Sequence, residues 1–316
     1  MKYAAKRIAM LLVTMLIVSL LSFVAFDVIS GDPATAMLGT EATPESVAAL
    51  REEWGLNRPL LVRYADWIGG FFTGDLGESY SYGVPVSSLI SQKLPITLCL
   101  SLLSFLLIVL SSIPLGVLSA GRSGGRMDGV GTVLNQLLMA VPPFFTGVLL
   151  TWVFSILLGW FVHGQFPGLK ENFFGSLGYL FFPAVSIAIP RIAMTERMLR
   201  STIRGEMGKD YVRTAISRGN DRSQVLRRHV LKNSLIPVVT FLAQTMAEIV
   251  AGSRVVEQVF AVPGLGRLLL GSISNRDFPV VQAIVVILAL WVVLAGTLAD
   301  LINQRIDPRM RLGGAK

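Results

Sequence analysis

Residues 209–237, KDYVRTAISRGNDRSQVLRRHVLKNSLIP, form a strongly charged stretch between segments that are almost purely apolar. Tyr211 and Ala215 lie four positions apart in this stretch. Val212 and Ile216 repeat that spacing, and side chains so spaced share one face of a helix. The stretch therefore predicts a short helix at its start.

A turn and a second short helix are predicted to follow. Gly219 is placed to take the left-handed conformation that ends a helix. Asp221 is a favourable N-cap, and Gln224 three residues later completes a capping-box pattern. The sequence thus predicts a basic hairpin, defined here as residues 209–233. Taken alone, its charges fit a solvated surface as well as a binding surface.

Composition identifies the chain as an integral membrane protein, and its apolar runs predict an all-α fold. Of its 316 residues, 53% are hydrophobic and 15% are charged, and the mean hydropathy is +0.63. Soluble proteins carry about 25% charged residues. The net charge of +8 comes from basic residues beside apolar runs, which fits the positive-inside rule better than a nucleic-acid surface. The single Cys99 excludes a disulfide framework within the chain.

The apolar runs predict six transmembrane helices, each near the ~20 residues that cross a bilayer. The third run is uncharged over residues 130–162, which is too long for one simple crossing, so we expect a surface helix and then a span starting at or kinked at Pro142-Pro143. The predicted spans are residues 8–26, 94–120, the end of 130–162, 177–195, 234–252 and 278–298.

Charge counts predict which side of the membrane each connection occupies. Residues 31–92 hold eight acidic and three basic residues, whereas residues 196–232 hold four acidic and ten basic ones. The first segment is therefore predicted outside and the basic hairpin inside, with both termini cytoplasmic. The predicted organisation is an N-terminal transmembrane helix (1–30), an external helical segment (31–92), a transmembrane core (93–304) and a cytoplasmic tail (305–316).

The sequence offers no catalytic centre. Gly208-Lys209 is followed by Asp210, with no glycine five residues earlier, so a phosphate-binding loop is missing and we expect no ATP hydrolysis by this chain. Two histidines and one cysteine, far apart in sequence, predict no metal site.

Three ionisable residues in or near the spans are candidates for a translocation path: Arg191, Glu248 and Arg254. Charged groups in a membrane must face protein or water. They either line a path or form structural ion pairs between helices, and the sequence leaves both readings open. Neutral replacements that leave assembly and transport intact would eliminate a path role for that position.

Several motifs, in this order, resemble one family. They are SGDPATAMLG (30–39), TPESVAALREEWGLNRPL (43–60), GDLGESY (74–80), IPLGVLSA (113–120), the hairpin sequence, VEQVFAVPGLGRLLL (256–270), NRDFPVVQ (275–282) and DPRMR (307–311). Together they resemble the permeases of ATP-binding-cassette (ABC) importers in the dipeptide, oligopeptide and nickel family. The resemblance indicates the permease with the larger external segment after its first span.

The resemblance implies a type I ABC importer permease fold in a bacterial cytoplasmic (inner) membrane. It implies a path for small peptides or for nickel and other metal chelates, which an extracytoplasmic binding protein delivers. A second permease, two ATP-binding subunits and membrane lipid would be the partners, and nucleic acid would not. ATP and Mg²⁺ would bind to the ATP-binding subunits, and this chain would hold no cofactor.

By the same resemblance, the basic hairpin is the coupling element that inserts into a cleft of an ATP-binding subunit. The family pattern Glu-Ala-Ala, three residues, Gly falls on Arg213, Thr214, Ala215 and Gly219, so Arg and Thr replace the first two residues. Apolar contact is expected from Tyr211, Val212, Ala215 and Ile216, and orientation from Arg213, Arg218 and Arg222. The implied coupling residues are Asp210, Tyr211, Val212, Arg213, Thr214, Ala215, Ile216, Arg218, Gly219, Asp221 and Arg222.

Two other protein classes are alternatives to an importer permease. An ion-coupled secondary transporter of small solutes would also carry buried charges, but the two halves of this sequence hold no matching pair of broken helices. A membrane-embedded enzyme would need a convergent acid, base or metal set. Co-purification of a second permease and ATP-binding subunits would distinguish a permease from a lone carrier.

Overall fold

Long apolar runs fold as continuous helices in the computed structural model, which describes residues 2–29, 32–121 and 126–306. A segment in a bilayer must satisfy its backbone N–H and C=O groups internally, and a helix does so. Within the described residues, five helices are long and apolar enough to cross a membrane. The α-helices are, in chain order, α1 (Lys2–Ile29), α2 (Pro33–Leu38), α3 (Pro44–Glu53), α4 (Leu60–Thr73), α5 (Val86–Gly121), α6 (Arg126–Ala140), α7 (Pro143–Leu150), α8 (Phe173–Met207), α9 (Asp210–Ser217), α10 (Arg222–Val225), α11 (Leu231–Gly252), α12 (Arg254–Val259), α13 (Leu265–Ser274) and α14 (Phe278–Ile306).

A bent pair of helices supplies the sixth candidate span. α6 ends at Ala140, and after a break α7 continues into the π-helical segment Thr151–Leu157. The helix direction bends by 96° between the two arms. Pro143 occupies the first turn of α7, where its missing N–H has no intrahelical partner to lose. The predicted start or kink at Pro142-Pro143 is confirmed, because α6 ends before these prolines and α7 begins at Pro143.

Two helices extend beyond their predicted spans because prolines and charges do not terminate them. α5 begins at Val86 rather than at residue 94 and continues through Pro95. α8 runs through Pro183 and Pro190 as far as Met207, twelve residues beyond the predicted end at 195. Prolines are tolerated inside membrane helices where neighbouring helices and hydroxyl side chains satisfy the freed carbonyls. Of the predicted tail, residues 307–316, which include DPRMR, lie outside the described residues.

The chain divides into two compact units, the first of which combines the residues up to Thr97 with Val262–Val293. Its apolar core joins the start of α5, α13 and the start of α14, and it includes Ile90, Leu269 and Ile284. Buried Thr97 accepts a hydrogen bond from the Leu265 N–H at 2.8 Å. This bond satisfies a free amide at the start of α13.

The segment predicted to be external, residues 31–92, lies in unit 1 and contains the short helices α2, α3 and α4. Thr43 caps α3 and exchanges hydrogen bonds with Ser46 in a capping box, with Pro44 in the first turn. α4 contacts α1 through Tyr64, whose hydroxyl lies 2.9 Å from that of Ser19.

Unit 2 comprises Leu98–Ala261 and the described residues after Val293. α8 is its central helix and packs against α6, α7 and α11. Gly116 of α5 lets that helix approach α8, because a Cβ at Gly116 would lie 2.8 Å from a Leu199 methyl group. The Ser186 hydroxyl donates to the Pro143 carbonyl at 2.5 Å and so attaches the start of α7 to α8.

Candidate functional site

The basic hairpin follows α8 and begins with α9, and a glycine fixes the turn after α9. Gly219 adopts φ +88°, and its N–H donates to the Ile216 carbonyl at 2.9 Å. The Asn220 N–H donates to the Ala215 carbonyl at 3.3 Å. These two bonds form a Schellman motif, which satisfies carbonyls at the end of a helix. The predicted role of Gly219 as the residue that ends the first helix is confirmed.

The second helix of the hairpin begins as predicted but does not end where predicted. The Asp221 carboxylate accepts the Ser223 N–H at 3.0 Å, so Asp221 is the N-cap, with Ser223 rather than Gln224 as its donor. α10 then passes through a π-helical turn, Leu226–Val230, directly into α11. No glycine or proline interrupts the chain here, so the second short helix is the first part of a long one that becomes the fifth span.

Tyr211 attaches the hairpin to both helices that flank it. Its hydroxyl donates to a Glu206 carboxylate oxygen at 2.8 Å and accepts from the Asn233 side-chain amide at 3.4 Å. Lys209 also donates to the Glu206 carboxylate. Val212, only 1% exposed, adds an apolar anchor beside Tyr211. α9 therefore has a fixed orientation relative to the end of α8 and the start of α11.

Lys209 and Tyr211, which make this attachment, keep their protons near neutral pH. The hydrogen bond to Glu206 raises the pKa of Lys209, so the ammonium group stays charged. Burial raises the pKa of Tyr211, and nearby Glu206 acts in the same direction. The Tyr211 hydroxyl therefore keeps the proton that it donates.

The exposed surface of the hairpin is mostly polar and surrounds one apolar side chain. Ile216 is 45% exposed, and the Arg213 and Asp210 side chains form an exposed ion pair at 3.7 Å. Tyr211 and Ala215 are half-buried. The remaining exposed coupling candidates are Thr214, Arg218, Gly219, Asp221 and Arg222.

One predicted contact residue has to be removed from this surface. Val212 faces its own chain and is 1% exposed, so it cannot supply apolar contact to another subunit. A helix of eight residues needs one face to hold it to the rest of the protein, and Val212 and Tyr211 lie on that face. Glu206 and Asn233 were not predictable as partners of Tyr211, because they lie on other helices.

Two of the three predicted path residues form an ion pair. The Arg191 guanidinium on α8 lies 2.5 Å from the Glu248 carboxylate on α11, with side-chain exposures of 28% and 55%. Arg254 is exposed at the start of α12 and is not part of this pair. The geometry thus brings together Arg191 and Glu248 and favours the structural interpretation for them.

We expect Arg191→Met alone to destabilise the protein by about 1 kcal/mol, a modest loss because Glu248 is half exposed. Adding Glu248→Leu should recover most of that loss, because it removes the charge that the single replacement leaves unpaired. The thermal midpoint of the detergent-solubilised protein measures this difference. Normal uptake by the double variant would eliminate a path role for both residues. Lost uptake with normal stability would instead support one.

A cleft of about 710 Å³ lies in unit 1, within the external segment and beside the adjoining ends of α1 and α14. Its charged walls include the Arg51–Asp32 pair at 3.2 Å and the Arg58–Asp66 pair at 2.7 Å. Burial alone would raise the pKa of Asp32, but the Thr35 hydrogen bond and the Arg51 charge outweigh it and lower the pKa. The Asp32 carboxylate is therefore charged near neutral pH.

Aromatic side chains complete this cleft. Trp54 stacks on Tyr80 with ring centroids 3.9 Å apart, which ties the end of α3 to the loop before α5. Burial raises the pKa of Tyr80 to about 12, and the positive charge of Arg63 offsets only part of that effect. In the described part of the chain, no group of three or more His, Cys, Asp or Glu side chains is arranged to hold a metal ion.

Comparison with known proteins assigns most of the chain to two related family regions. Residues 112–312 match the binding-protein-dependent transport system inner membrane component. Residues 1–101 match the N-terminal part of the membrane component of the same systems. Together the two matches cover most of both units and the whole basic hairpin.

Individual relatives are similar over their whole length. The oligopeptide transport system permease protein AppB of Bacillus subtilis is 38% identical over 98% of this chain and 98% of its own length. A putative peptide transport system permease of Brucella abortus is 37% identical over 97% and 98%. The glutathione transport system permease protein GsiC of Salmonella choleraesuis is 33% identical over 98% and 99%.

Proposed function

This chain belongs to the family of binding-protein-dependent transport system inner membrane components, and on that premise we propose what it carries and how it is driven. It is the permease subunit of an ABC importer of the peptide family and not an enzyme. In the described part of the chain, five apolar helices and one bent pair are the candidates for its membrane part. The family membership confirms the function that the motif resemblance implied.

We propose short peptides as the substrate class. The relatives described above are named as oligopeptide, peptide and glutathione permeases, and these substrates share a peptide backbone. Nickel and other metal chelates, the other substrates expected from the resemblance, have no such support. Uptake of a labelled dipeptide, a labelled pentapeptide and a nickel chelate by cells with and without the gene distinguishes these substrates.

We propose that the basic hairpin lies in the cytoplasm of a bacterial cell and the external segment outside the inner membrane. The excess of basic over acidic residues in 196–232 and the reverse excess in 31–92 support this orientation. Both termini are then cytoplasmic. The apolar side chains of α1, most of which are exposed in the structure, face lipid or the second permease.

The proposed assembly contains a second permease, two ATP-binding subunits that hold ATP and Mg²⁺, and an external binding protein. One observation carries the proposed docking of an ATP-binding subunit. The hairpin is anchored to two long helices by Tyr211, while Ile216 and the arginines beside it are exposed. An element that must transmit motion needs a rigid attachment on one side and a free contact surface on the other.

In the proposed mechanism, the hairpin moves with the ATP-binding subunit in which it sits. ATP-driven closure and opening of the two ATP-binding subunits displaces α9, and Tyr211 passes that displacement to α8 and α11. These helices then exchange between outward-open and inward-open packings. Ile216 and Ala215 supply apolar contact, and Arg213, Arg218 and Arg222 orient the subunit by charge.

We expect Ile216→Asp to release the ATP-binding subunits while the second permease remains bound. A carboxylate placed in an apolar contact is left desolvated and unpaired. The full complex, purified through a tag on this chain, is analysed by native mass spectrometry. Leu61→Asp is the matched control, because Leu61 is also exposed, at 71%, but lies on α4 of the external segment.

Three outcomes separate the candidate functions. Loss of the ATP-binding subunits from Ile216→Asp alone supports the proposed contact. Retention of both subunits by Ile216→Asp would exclude Ile216 as an essential part of the contact. Purification of the wild-type chain without any ATP-binding subunit would contradict the assembly and favour a lone ion-coupled carrier.

A further inference from the structure

α6 is held to α8 by a row of polar contacts within unit 2. The Asn135 side-chain amide and the Ser119 hydroxyl both donate to the Glu196 carboxylate, which is 8% exposed. Seven residues before Asn135, Asp128 pairs with Arg200, and Arg204 contacts the same carboxylate at 3.1 Å. We call this row the α6–α8 polar zipper.

The spacing of the zipper matches two antiparallel helices. Asp128, Thr132 and Asn135 recur at helical intervals along one edge of α6. Asp128 contacts Arg204 and Arg200, Thr132 contacts Arg200, and Asn135 contacts Glu196. Residue numbers thus rise along α6 as they fall along α8. Thr132 takes part by accepting from Arg200 at 3.1 Å. The contacts therefore fix the register of α6 along α8 as well as its distance.

The rest of α6 has little contact with the described part of its own chain. Val133 is 57% exposed and Leu137 is 60% exposed, whereas Asp128 and Asn135 are partly buried against α8. An apolar helix face gains little from packing when the surrounding solvent is lipid. In a membrane setting, polar contacts then become the main attachment of such a helix to its neighbour.

The two ends of this arrangement reach features already described. α8 leads through Glu206 and Tyr211 into the basic hairpin. α6 leads into the 96° break before α7, and Ser186 holds the Pro143 carbonyl just beyond that break. The hairpin and the bend of the third span are thus connected through the zipper.

We propose that α6, α8 and the basic hairpin move as one arm, with Glu196 and Asp128 as positioning residues that pass hairpin displacement to the bent third span. This inference rests on the proposed contact between the hairpin and an ATP-binding subunit. In addition to the route through α8 and α11, it gives ATP hydrolysis a route from α8 through α6 to the bent third span.

Charge reversal and rescue test the zipper in the complete importer complex. Asp128→Arg places three guanidinium groups together and should lower peptide uptake per ATP hydrolysed by about fivefold. Arg200→Asp should do the same, and the double variant Asp128→Arg/Arg200→Asp should restore most of the coupling. Arg197→Asp is the matched control, because Arg197 is an exposed arginine on the same helix, and it should leave coupling unchanged.

A distance measurement separates transmission from simple stability. Spin labels at Val133 and Ser217, both exposed, are introduced in a Cys99→Ser background and compared without nucleotide and in the ATP-trapped state. We expect one narrow distance distribution in both states for the otherwise unaltered chain and for the double variant. A broadened distribution is expected for Asp128→Arg.

The outcomes distinguish failure of this inference from failure of the proposed function. If the wild-type complex contains ATP-binding subunits but neither single reversal lowers coupling, the zipper inference is overturned and the proposed function is not. Coupling lost in the singles and not rescued by the double would overturn the pairwise role of Asp128 and Arg200. Absence of ATP-binding subunits from the wild-type complex would overturn the proposed function and the inference with it.

Discussion

Replacing Gly219 with valine is expected to lower uptake about tenfold while ATP hydrolysis by the assembled complex continues. Gly219 adopts φ +88°, a left-handed conformation that costs other residues about 1–2 kcal/mol and β-branched residues more. A penalty of that size changes the population of the native turn about 5- to 30-fold. The hairpin would then lose the fixed turn between α9 and α10, and motion of the ATP-binding subunit would not reach α8.

A graded series of replacements at Gly219 tests whether the left-handed backbone conformation causes the expected loss of uptake. A Cβ at Gly219 would have no heavy atom within 4 Å, so steric contact does not explain any loss. Asparagine tolerates the left-handed region better than other non-glycine residues, and Gly219→Asn should keep most of the uptake. Gly219→Ala should be intermediate.

Gly205→Ala is the control for the Gly219 series. Gly205 also has open space around a built Cβ, but it lies inside α8 in an ordinary helical conformation, where alanine is favoured over glycine by about 1 kcal/mol. The measurements are peptide uptake and ATP hydrolysis by complexes reconstituted in liposomes. Equal coupling in Gly219→Val and Gly205→Ala would contradict a coupling role for the turn.

Local sequence signals predicted the local parts of this fold. Apolar runs predicted the helices that cross the membrane, and Pro142-Pro143 predicted where the third span starts. Gly219 and Asp221 predicted the turn and the cap of the basic hairpin, because both act on backbone groups within a few residues. The family resemblance added the function, which neither hydropathy nor charge counting specifies.

Contacts between distant segments were not predictable from the same signals. Glu196 is 77 residues from Ser119 and 61 from Asn135, so its role depends on how three helices pack. The face of Val212 was misassigned because spacing shows that two residues share a helix face, but not whether that face meets its own chain or a partner. The extension of α5 and α8 beyond the predicted spans was not predictable either, because sequence alone does not reveal which neighbours satisfy the carbonyls that their prolines free.

Asp277→Ala is expected to cause the largest loss of stability among the replacements in unit 1. Asp277 is fully buried at the junction of α13 and α14, and its carboxylate accepts the Ser79 hydroxyl. It also accepts the backbone N–H groups of Tyr80 at 3.0 Å and Ser81 at 3.3 Å. Alanine would leave these donors without an acceptor, at about 1–3 kcal/mol for each one that stays buried.

The same replacement should release the loop that precedes α5. Asp277 is the point at which the loop around Ser79 is attached to the start of α14, and Tyr80 in that loop also carries the stacked Trp54 ring. Loss of the carboxylate should therefore loosen the external segment as well as lower the thermal midpoint. Asp277→Asn keeps one acceptor oxygen and should fall between the wild type and Asp277→Ala.

Asp66→Ala is the matched control for Asp277→Ala, because it removes a carboxylate from the same unit without exposing unsatisfied buried donors. The Asp66–Arg58 distance is short, 2.7 Å, but both side chains are more than half exposed, and exposed ion pairs contribute about 0–1 kcal/mol. Thermal midpoints of the detergent-solubilised chain, read by size-exclusion chromatography after heating, compare the two variants. If burial and hydrogen bonding decide the contribution of a carboxylate here, Asp277→Ala melts well below Asp66→Ala. Equal midpoints would show that the Asp277 contacts do not stabilise unit 1.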